Sequence, residues 1–421
     1  MIALAWAEIE ALDLGELVGA GEITRITADS RDAGRGALFV ALNTGTRYVE
    51  DAQARGAATL VPADQEQALA ALASLVRSKS EADVVAVVGS AGKTTTKDIL
   101  GALCAPHVAT IWASTSLNNE IGLPLTVCRL EPETRVLVTE MGMRGLGQIA
   151  ALCAVARPSI VVVPHIGPEH LELLGTVERV AEANAEAIAA LPAGGLAVVP
   201  ARASELTPFL TRDDIDVRRF DPADLERRDG VSRFDIGGRS VELELPFTQR
   251  HLLLNTLAAL HAYDALGLRL EAAHVGVPGI ALSPWRGEES PLPGGGIVVN
   301  DAYNANPDSM RAALEHLAER AAGRRKVAIL GEMAELGEAS ERYHREIGAL
   351  VRELEIDVVG VGLPARAYDP VAWAASREDV IRVAGDVLRP GDAVLVKASR
   401  AVGLEGIADE ITKIARAWSQ S

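Results

Sequence analysis

Short runs of apolar, often β-branched residues alternate with helix-like segments through the middle of the chain. The clearest runs predict buried strands at residues 84–88, 135–140, 159–164 and 195–200. Segments with helical periodicity follow them at 95–104, 178–191 and 250–266. Strands that alternate with helices predict an α/β fold with a mostly parallel sheet covered on both faces. Residues 201–250 are more polar, which predicts a segment of antiparallel strands that departs from that parallel sheet.

Two regions with their own strand and helix patterns flank this middle segment. The first 80 residues predict a small α/β domain, with strands at 23–29, 37–42 and 57–62 and a helix at 63–77. After residue 285 the strand and helix pattern restarts, with strands at 297–300, 327–330, 357–361 and 393–397 and helices at 309–322 and 338–354. Asp308 or Ser309 is the predicted cap of the helix at 309–322. A polar stretch at 77–83 and a proline- and glycine-rich stretch at 283–296 predict domains at 1–80, 81–284 and 285–421.

The composition restricts the classes of partner. The 421 residues include 41 basic and 58 acidic side chains, which gives a formal net charge of −17. This balance argues against nucleic acids and anionic membranes as general partners, because both require a basic surface. The three cysteines lack disulfide or zinc-ligand spacing, and the sequence shows neither a signal peptide nor an apolar run long enough for a membrane span. A cytoplasmic protein is therefore expected.

A glycine-rich loop follows the strand at 84–88 and precedes a predicted helix. The residues of this phosphate loop are Gly89, Ser90, Ala91, Gly92, Lys93, Thr94 and Thr95. Two glycines let the backbone turn tightly and bring N–H groups against phosphate oxygens, and the helix dipole adds to the attraction. Lys93 supplies a mobile positive charge, and the Thr94 hydroxyl is placed to bind Mg²⁺. The loop predicts nucleoside triphosphate binding, but it does not say which group accepts the phosphate.

Polar side chains also follow two neighbouring predicted strands. Glu140 ends the strand at 135–140, and a carboxylate there can hold Mg²⁺ or be a solvated strand end. His165 and His170 follow the strand at 159–164, and His170 is a candidate metal or phosphate contact as well as a candidate structural histidine. The carboxyl ends of parallel strands share one edge of a sheet, so these groups and the loop are predicted to converge.

Two segments of the C-terminal region have ligand-binding character. Residues 300–307, NDAYNANP, follow a strand and combine two asparagines with a proline, which predicts a ligand-facing loop. Residues 397–400, KASR, can hold a carboxylate or phosphate through two cations and a hydroxyl. The alternative, a basic helix start, is disfavoured by the helix dipole.

These segments together resemble the Mur ligase family, ATP-dependent enzymes of peptidoglycan precursor synthesis. The matching motifs are DSR at 29–31, GALFVAL at 36–42, GSAGKTTTK at 89–97, NNEIGLPLT at 118–126, TEMGMRGLGQIA at 139–150, IGPEHLE at 166–172, DAYNANPDSM at 301–310, LGEMAELGEAS at 330–340 and KASR at 397–400. The resemblance implies a central ATPase domain between an N-terminal UDP-sugar-binding domain and a C-terminal Rossmann-like domain. Members are mostly monomers, so a monomer is expected.

The resemblance also implies roles for individual residues. ATP would be bound by the phosphate loop, with contacts to adenine, ribose and phosphates from Asn255, Arg286 and Asp301. Mg²⁺ would be held by Thr94, Glu140 and His170, and the catalytic set would be Lys93, Glu140 and His170. Substrate contacts would come from Ser30, Arg31, Asn118, Asn119, Tyr303, Asn304, Asn306, Lys397, Ser399 and Arg400.

The reaction implied by the resemblance joins D-alanyl-D-alanine to a UDP-muramoyl tripeptide. The substrate carboxylate attacks the γ-phosphate of ATP, and the amine then displaces phosphate from the acyl phosphate. Asn184 stands where the family has a carboxylated lysine, and Glu182 or Glu186 is a candidate source of the missing charge. Leu252 replaces a family asparagine, and the segment 45–51 lacks a family histidine.

These differences favour an alternative, a Mur-like amide ligase that uses another carboxylate and amine in specialised metabolism. A weakly active paralogue that binds ATP and a partner ligase is argued against by the intact Lys93, Thr94, Glu140 and His170. A plain ATPase or kinase accounts for the loop but not for the segment 300–307.

Overall fold

The computed structural model describes residues 1–113 and 115–418, with side chains up to residue 415. The chain divides into two compact units. Unit 1 contains Met1–His165, Ala181–Thr248 and Leu252–Ala281, and unit 2 contains Ile166–Val180, Gln249–His251 and the chain from Leu282 onward. The short segment Ile166–Val180 therefore belongs with the C-terminal part of the chain.

Helices occur in both units. In the described residues they are α1 (Trp6–Glu10), α2 (Val49–Ala54), α3 (Gln65–Ser78), α4 (Lys93–Cys104), α5 (Gly122–Val127), α6 (Gln148–Ala156), α7 (Leu171–Leu174), α8 (Val177–Ala189), α9 (Arg250–Ala265), α10 (Pro307–Ala321), α11 (Ser340–Glu353), α12 (Val380–Val387) and α13 (Ile407–Trp418). No helix among these residues combines the length and the apolarity that a membrane crossing requires.

Unit 1 begins with a small mixed sheet. Its strands in the described chain are β1 (Gly15–Val18), β2 (Arg25–Thr27), β3 (Ala37–Val40) and β4 (Ala58–Pro62), in the order β1-β4-β3-β2. Strands β2, β3 and β4 are parallel, and β1 pairs antiparallel with β4. Strand β3 is buried along its whole length, because Phe39 and its neighbours pack against alanines around α2.

The larger sheet of unit 1 is parallel throughout the described residues. Its strands are β5 (Asp83–Val87), β6 (Thr110–Trp112), β7 (Val136–Glu140), β8 (Ile160–Val162), β9 (Leu196–Pro200) and β10 (Asp216–Phe220), in the order β10-β9-β8-β5-β7-β6. Strand β5 pairs with β7 so that Val87 lies opposite Glu140. This register confirms the predicted parallel sheet and brings the phosphate loop and Glu140 to one edge of it.

The polar segment 201–250 is only partly antiparallel. Strand β10 extends the large sheet in parallel beside β9, and its Phe220 is buried. The following strands, β11 (Leu225–Arg228), β12 (Val231–Ile236) and β13 (Arg239–Leu243), form the antiparallel sheet that was expected.

Unit 2 contains a second large sheet. Its described strands are β14 (Glu288–Leu292), β15 (Gly296–Asn300), β16 (Lys326–Leu330), β17 (Asp357–Val361), β18 (Ala372–Ala374) and β19 (Ala393–Lys397), in the order β14-β15-β19-β16-β17-β18. All pairs are parallel except the hairpin of β14 and β15. Strands β15 and β19 are neighbours, so the loops that follow Asn300 and Lys397 leave the sheet side by side.

The prediction of the cap of α10 was wrong. Asn306, rather than Asp308 or Ser309, is the N-cap residue, and its Oδ1 accepts a 2.8 Å hydrogen bond from the Ser309 N–H. The helix begins at Pro307, whose ring fixes φ in the helical range and whose missing N–H is not needed in the first turn.

Candidate active site

The phosphate loop connects strand β5, which is buried from Val84 onward, to a helix that begins at Lys93. Gly89 has φ +118°, and a Cβ there would lie 2.7 Å from the His165 carbonyl oxygen. Gly92 has φ +79°, and a Cβ there would overlap the side-chain amide of Asn255 on α9. Both positions therefore require glycine. Lys93 Nζ donates a 2.5 Å hydrogen bond to the Gly89 carbonyl, which holds its ammonium over the loop.

Two hydrogen bonds fix the beginning of the loop. The Gly89 N–H donates to Oδ1 of Asn184 on α8 at 2.6 Å, and the Ser90 N–H donates to the His165 carbonyl at 2.9 Å. Asn184 is only 1% exposed, so its amide is fixed by packing as well as by this bond. The loop is therefore held by a neighbouring helix and by the end of a neighbouring strand.

The Glu140 carboxylate lies beside the start of the loop, one strand away. Its Oε1 accepts hydrogen bonds from Ser116 Oγ at 2.7 Å and from Asn118 Nδ2 at 2.8 Å. Its Oε2 is buried and has no hydrogen-bond partner within residues 1–113 and 115–418. A buried carboxylate oxygen without a donor is costly, and a cation would satisfy it. Glu140, with the buried Thr94 hydroxyl at the first turn of α4, therefore fits a Mg²⁺ ion bound together with phosphate oxygens.

His170 belongs to unit 2, whereas the phosphate loop and Glu140 belong to unit 1. It precedes α7 with φ +52°, and its Nδ1 contacts the carboxylate of Glu335. Glu169 Oε1 lies 3.7 Å from the His170 Nε2. Across the described chain, no group of three or more His, Cys, Asp or Glu side chains has metal-binding geometry.

A buried lysine organises the ligand-facing loop of unit 2. Lys397, at the end of β19, is 3% exposed at its side chain, and its Nζ lies 2.6 Å from Asp301 Oδ2 and 2.9 Å from the Asn304 carbonyl. Ser399 Oγ donates to the Ala305 carbonyl at 3.1 Å. These bonds join the segment 301–305 to the end of β19.

A cluster of arginines and aromatic rings lies in the same unit. The Arg286 guanidinium stacks 3.9 Å above the ring of Tyr303, and the Arg400 guanidinium lies 4.6 Å from the ring of Trp285. Arg400 also pairs with Glu405 at 2.7 Å, so only part of its charge is available to an anion. Stacked guanidiniums present their N–H edges sideways, which suits phosphate or carboxylate groups.

The remaining predicted substrate residues lie on two other elements of unit 1. Ser30 and Arg31 form a short 3₁₀ turn after β2, where Arg31 pairs with Asp29 at 2.6 Å and lowers the pKa of that carboxyl to about 2. Asn119 Oδ1 accepts a 2.9 Å bond from the Gly122 N–H at the start of α5. These contacts give Arg31 and Asn119 structural partners in addition to their predicted roles.

Some supporting residues were not identified from the sequence. Asn184 was recognised only as a departure from a family motif, and Ser116 and Glu335 were not singled out. Glu186 was a candidate source of negative charge, but its carboxylate accepts hydrogen bonds from the N–H groups of Gly147 and Ala150 at the start of α6. The GEMAELG motif that contains Glu335 was the available signal for that residue.

Comparison with known proteins gives consistent matches over most of the chain. Residues 87–263 match the Mur ligase middle domain, and residues 288–400 match the family described as Mur ligase, glutamate ligase domain. The chain is 30% identical to the UDP-N-acetylmuramoyl-tripeptide–D-alanyl-D-alanine ligase of Bacillus subtilis, over 92% of each chain.

Two solved structures are similar over nearly their whole length. A crystal structure of MurF from Acinetobacter baumannii has 25% identity and a TM-score of 0.86, and the match covers 98% of this chain and 99% of that one. MurF ligase from Thermotoga maritima, solved in complex with ADP, has 26% identity and a TM-score of 0.81, with 93% and 98% coverage.

Proposed function

The chain belongs to the Mur ligase family, and from this we propose that it is an ATP-dependent, ADP-forming amide ligase of peptidoglycan precursor synthesis. It joins D-alanyl-D-alanine to UDP-N-acetylmuramoyl-tripeptide. The observation that carries this proposal is the likeness to ligases of that name over 92% of both chains. The three-domain division at residues 80 and 284, the cytoplasmic location and the monomeric state remain parts of the proposal.

ATP phosphates are bound by the loop after β5. The N–H groups of Gly89 and Ser90 are engaged within the protein, so we assign phosphate binding to the N–H groups further along the loop and in the first turn of α4. Lys93 Nζ moves from the Gly89 carbonyl to the β- and γ-phosphates. This exchange costs little, because the lysine side chain is long and flexible.

A Mg²⁺ ion would be held by Glu140 and Thr94 together with phosphate oxygens, and the metal role of His170 stays a prediction. The unsatisfied Oε2 of Glu140 among the described residues supports this assignment. When bound, the ion neutralises the negative charge that otherwise repels an incoming carboxylate. Ser116 and Asn118 hold the other oxygen of Glu140 and so fix the direction in which Oε2 points.

The chemistry requires positioning rather than a protein nucleophile. The tripeptide carboxylate attacks the γ-phosphorus, the bond to the β-phosphate oxygen breaks, and an acyl phosphate and ADP result. The amine of D-alanyl-D-alanine then attacks the acyl carbon, inorganic phosphate leaves with the bond electrons, and the amine loses a proton to solvent. Lys93 and the loop N–H groups stabilise the charge that develops on the transferred phosphate.

The other predicted residues hold the substrates. Asn255, Arg286 and Asp301 are assigned to the nucleotide. The assigned substrate contacts are Ser30, Arg31, Asn118, Asn119, Tyr303, Asn304, Asn306, Lys397, Ser399 and Arg400. The contacts of Lys397 Nζ with Asp301 and with the Asn304 carbonyl support this assignment, because they join a buried ammonium to the ligand-facing loop.

A second candidate is a related ligase that acts on another carboxylate and amine. Asn184 favours it, because an amide cannot carry the negative charge of the family's carboxylated lysine and instead binds the Gly89 N–H. The Glu186 carboxylate accepts hydrogen bonds from the N–H groups of Gly147 and Ala150 at the start of α6, which supports this candidate. A compensating role for Glu182 or Glu186 stays a prediction.

The test is a phosphate-release assay with ATP, Mg²⁺, UDP-muramoyl tripeptide and D-alanyl-D-alanine, with mass detection of the product. We expect UDP-muramoyl pentapeptide to form only when both substrates are present. Lys93→Met should abolish the product, and Lys79→Met, at an ion pair with Glu8 on the surface of unit 1, should not. ATP binding without pentapeptide formation would refute the proposed substrates and favour the second candidate.

A further inference from the structure

An open cavity lies in unit 1 between strand β10, helix α9 and the turn that joins β12 to β13. Its volume is about 510 Å³, within the range of roughly 300–1,000 Å³ that is usual for pockets that bind small molecules. The residues that line it include no residue of the phosphate loop. We call this cavity the α9 cleft, and it is separate from the loop that is assigned to ATP.

The alternation of residues along β10 decides which of its side chains meet α9. Arg218 and Phe220 are two positions apart, so their side chains leave the strand on the same face. The Phe220 ring is buried, and its centroid lies 6.2 Å from that of the His261 ring on α9. Arg218 Nη1 donates hydrogen bonds to Asp264 Oδ2 at 2.8 Å and to the His261 carbonyl at 3.3 Å. The strand thus brings one guanidinium to the cleft.

A tight turn brings a second guanidinium to the same carboxylate. Gly237 and Gly238 have φ +60° and +81°, and they form the two-residue turn between β12 and β13. Arg239 follows the turn, and its Nη2 donates to Asp264 Oδ1. The Asp264 side chain is only 9% exposed, so one largely buried carboxylate bridges Arg218 and Arg239. The three groups together keep one positive charge, and each guanidinium has further N–H groups outside these bonds.

The His261 ring belongs to the wall of the α9 cleft. His261 is 4% exposed, and neither of its ring nitrogens has a hydrogen-bond partner among the residues that the structure describes. A neutral imidazole carries one N–H donor and one acceptor nitrogen, and leaving both unsatisfied in the interior is costly. Both nitrogens are covered by neighbouring atoms, so a ligand meets them after the ring rotates. A ligand that satisfies both nitrogens offers an acceptor and a donor.

Two further carboxylates line the cleft, those of Asp224 and Asp235. Asp235 Oδ1 accepts a 2.8 Å hydrogen bond from the Gly238 N–H, and Asp224 Oδ2 accepts one of 2.8 Å from the Asp221 N–H. Each carboxylate therefore keeps a second oxygen outside these backbone bonds. The whole lining contains three arginines and three aspartates, so their charges balance. The aspartates repel a purely anionic ligand, whereas a ligand with both charges is attracted by both sets of side chains.

We propose that the α9 cleft binds a zwitterionic small molecule, either an amino acid or a short peptide. The arginine pair bridged by Asp264 binds its carboxylate, in the forked geometry that guanidinium groups favour. Asp224 and Asp235 bind its ammonium group, and the His261 ring donates one hydrogen bond and accepts another. The site is independent of the proposed ligase function, since none of its residues is assigned to ATP, Mg²⁺ or the ligase substrates.

Glycine and glycylglycine are the probes, and they are titrated into the whole chain by calorimetry. N-acetylglycine lacks the ammonium group and glycinamide lacks the carboxylate, so these two compounds are the matched controls. We expect each control, and also inorganic phosphate, to bind at least about tenfold more weakly than the tighter of the two probes, because charge-assisted hydrogen bonds are lost. The tighter probe shows whether the ligand is an amino acid or a peptide. The proposal is refuted if neither probe binds, or if N-acetylglycine or phosphate binds as tightly as the tighter probe.

Variants of the cleft locate the bound probe. Arg239→Gln is the main variant, because the Arg239 side chain is 57% exposed and its loss leaves Asp264 paired with Arg218. His261→Phe keeps an aromatic ring and removes both ring nitrogens. Arg227→Gln is the matched control, at an exposed arginine on β11 outside the cleft. We expect Arg239→Gln and His261→Phe to weaken binding about tenfold and Arg227→Gln to leave it unchanged. Circular dichroism verifies that each variant folds.

Two further results distinguish the α9 cleft from the nucleotide site. Lys93→Met should bind the probe like the wild type, although it should form no ligase product. ¹⁵N NMR of histidine-labelled protein should show a shift of the His261 ring signals when the probe is added, and His261→Phe assigns those signals. Unshifted signals, or wild-type affinity in both Arg239→Gln and His261→Phe, would overturn the proposal. Loss of binding in Lys93→Met would place the probe at the phosphate loop and would overturn it as well.

Discussion

The side-chain amide of Asn184 accepts a 2.6 Å hydrogen bond from the backbone N–H of Gly89, the first glycine of the phosphate loop. Asn184 lies on α8 and Gly89 follows β5, and 95 residues separate them in sequence. The bond fixes the position from which the loop turns. An asparagine at this position therefore acts on the nucleotide site through the backbone of the loop rather than through a charge.

Asn184→Ala should weaken ADP binding about tenfold, because a buried N–H left without its partner costs about 1–3 kcal/mol and the loop shifts to satisfy it. Calorimetric titration with ADP measures the effect. Arg179→Ala, at an exposed position on the same helix, is the control and should bind ADP like the wild type. Equal affinities for Asn184→Ala and Arg179→Ala would show that the bond does not position the loop.

Asn184→Lys tests the contribution of charge at the same position. The lysine resembles the family residue, but it has no acceptor for the Gly89 N–H and must bury its ammonium at a position only 1% exposed. We expect weaker ADP binding and, if the amine becomes carboxylated, a lower Mg²⁺ concentration for half-maximal phosphate release in bicarbonate buffer. A Mg²⁺ requirement identical to that of the wild type would count against any role for negative charge here.

Gly92→Ala should abolish detectable nucleotide binding. The variant combines the strain of φ +79° with overlap between the new methyl group and the Asn255 amide. Gly194→Ala is a matched control, because Gly194 has φ +78° and open space around its Cβ position. It bears the same backbone strain, roughly 1 kcal/mol, without the collision. ADP affinity measured by calorimetry should therefore separate the two variants, and equal loss in both would show that strain alone is responsible.

Parts of the site that are contiguous in sequence could be predicted, whereas contacts between distant segments could not. The strand, loop and helix of residues 83–104 could be predicted because the apolar run, the glycines and Lys93 are contiguous. The position of Glu140 beside the loop followed from its place at the end of a strand in a parallel sheet, and the register confirms it. The local sequence pattern, together with the rule that the carboxyl ends of parallel strands share one edge of a sheet, was sufficient to predict these parts of the site.

The contacts that hold the site could not be read in the same way. The helix at 178–191 was predicted, but the face that Asn184 presents to the loop depends on how α8 rotates against the sheet. Glu335 meets His170 only because two loops from distant parts of the sequence bend through rare backbone conformations. Sequence patterns do not report such bends at non-glycine residues, since no residue type enforces them.

A buried ion pair beside the phosphate loop should be sensitive to substitution. Lys97 on α4 is fully buried, and its ammonium contacts Asp98 Oδ1 at 2.5 Å and the Ala113 carbonyl. Lys97→Met removes the cation and leaves the Asp98 carboxylate in a low-dielectric environment, which should lower the free energy of unfolding by about 3 kcal/mol. Urea denaturation followed by fluorescence measures the loss.

Two further variants test whether the buried charge left without its partner causes that loss of stability. Lys97→Met/Asp98→Asn removes both charges and should recover part of the stability. Lys79→Met removes one partner of a partly exposed pair with Glu8 and should cost less than about 1 kcal/mol. If Lys97→Met proves no more destabilising than Lys79→Met, the burial of the Lys97–Asp98 pair adds nothing to its effect on the free energy of unfolding.

His261 on α9 should make the protein sensitive to mild acid. Its side chain is buried, neither ring nitrogen has a hydrogen-bond partner in the described part of the chain, and Phe220 lies beside the ring. Burial, together with the nearby Arg218, lowers the pKa of His261 to about 4, and this effect outweighs the opposite one of nearby carboxylates. The folded protein thus holds the imidazole neutral at a pH where the unfolded chain protonates it.

The sign of the pH dependence follows from that difference. The unfolded chain binds a proton at His261 as the pH falls through about 6.5, whereas the folded state does so only near the lowered value. Stability should therefore be lost between pH 7 and pH 4, by about 2 kcal/mol at pH 5 from this group alone. His261→Phe, which keeps an aromatic ring without a titrating group, should reduce the loss by that amount. His274→Phe, at an exposed position, should leave the acid dependence as in the wild type, and the same result for His261→Phe would exclude His261 as its source.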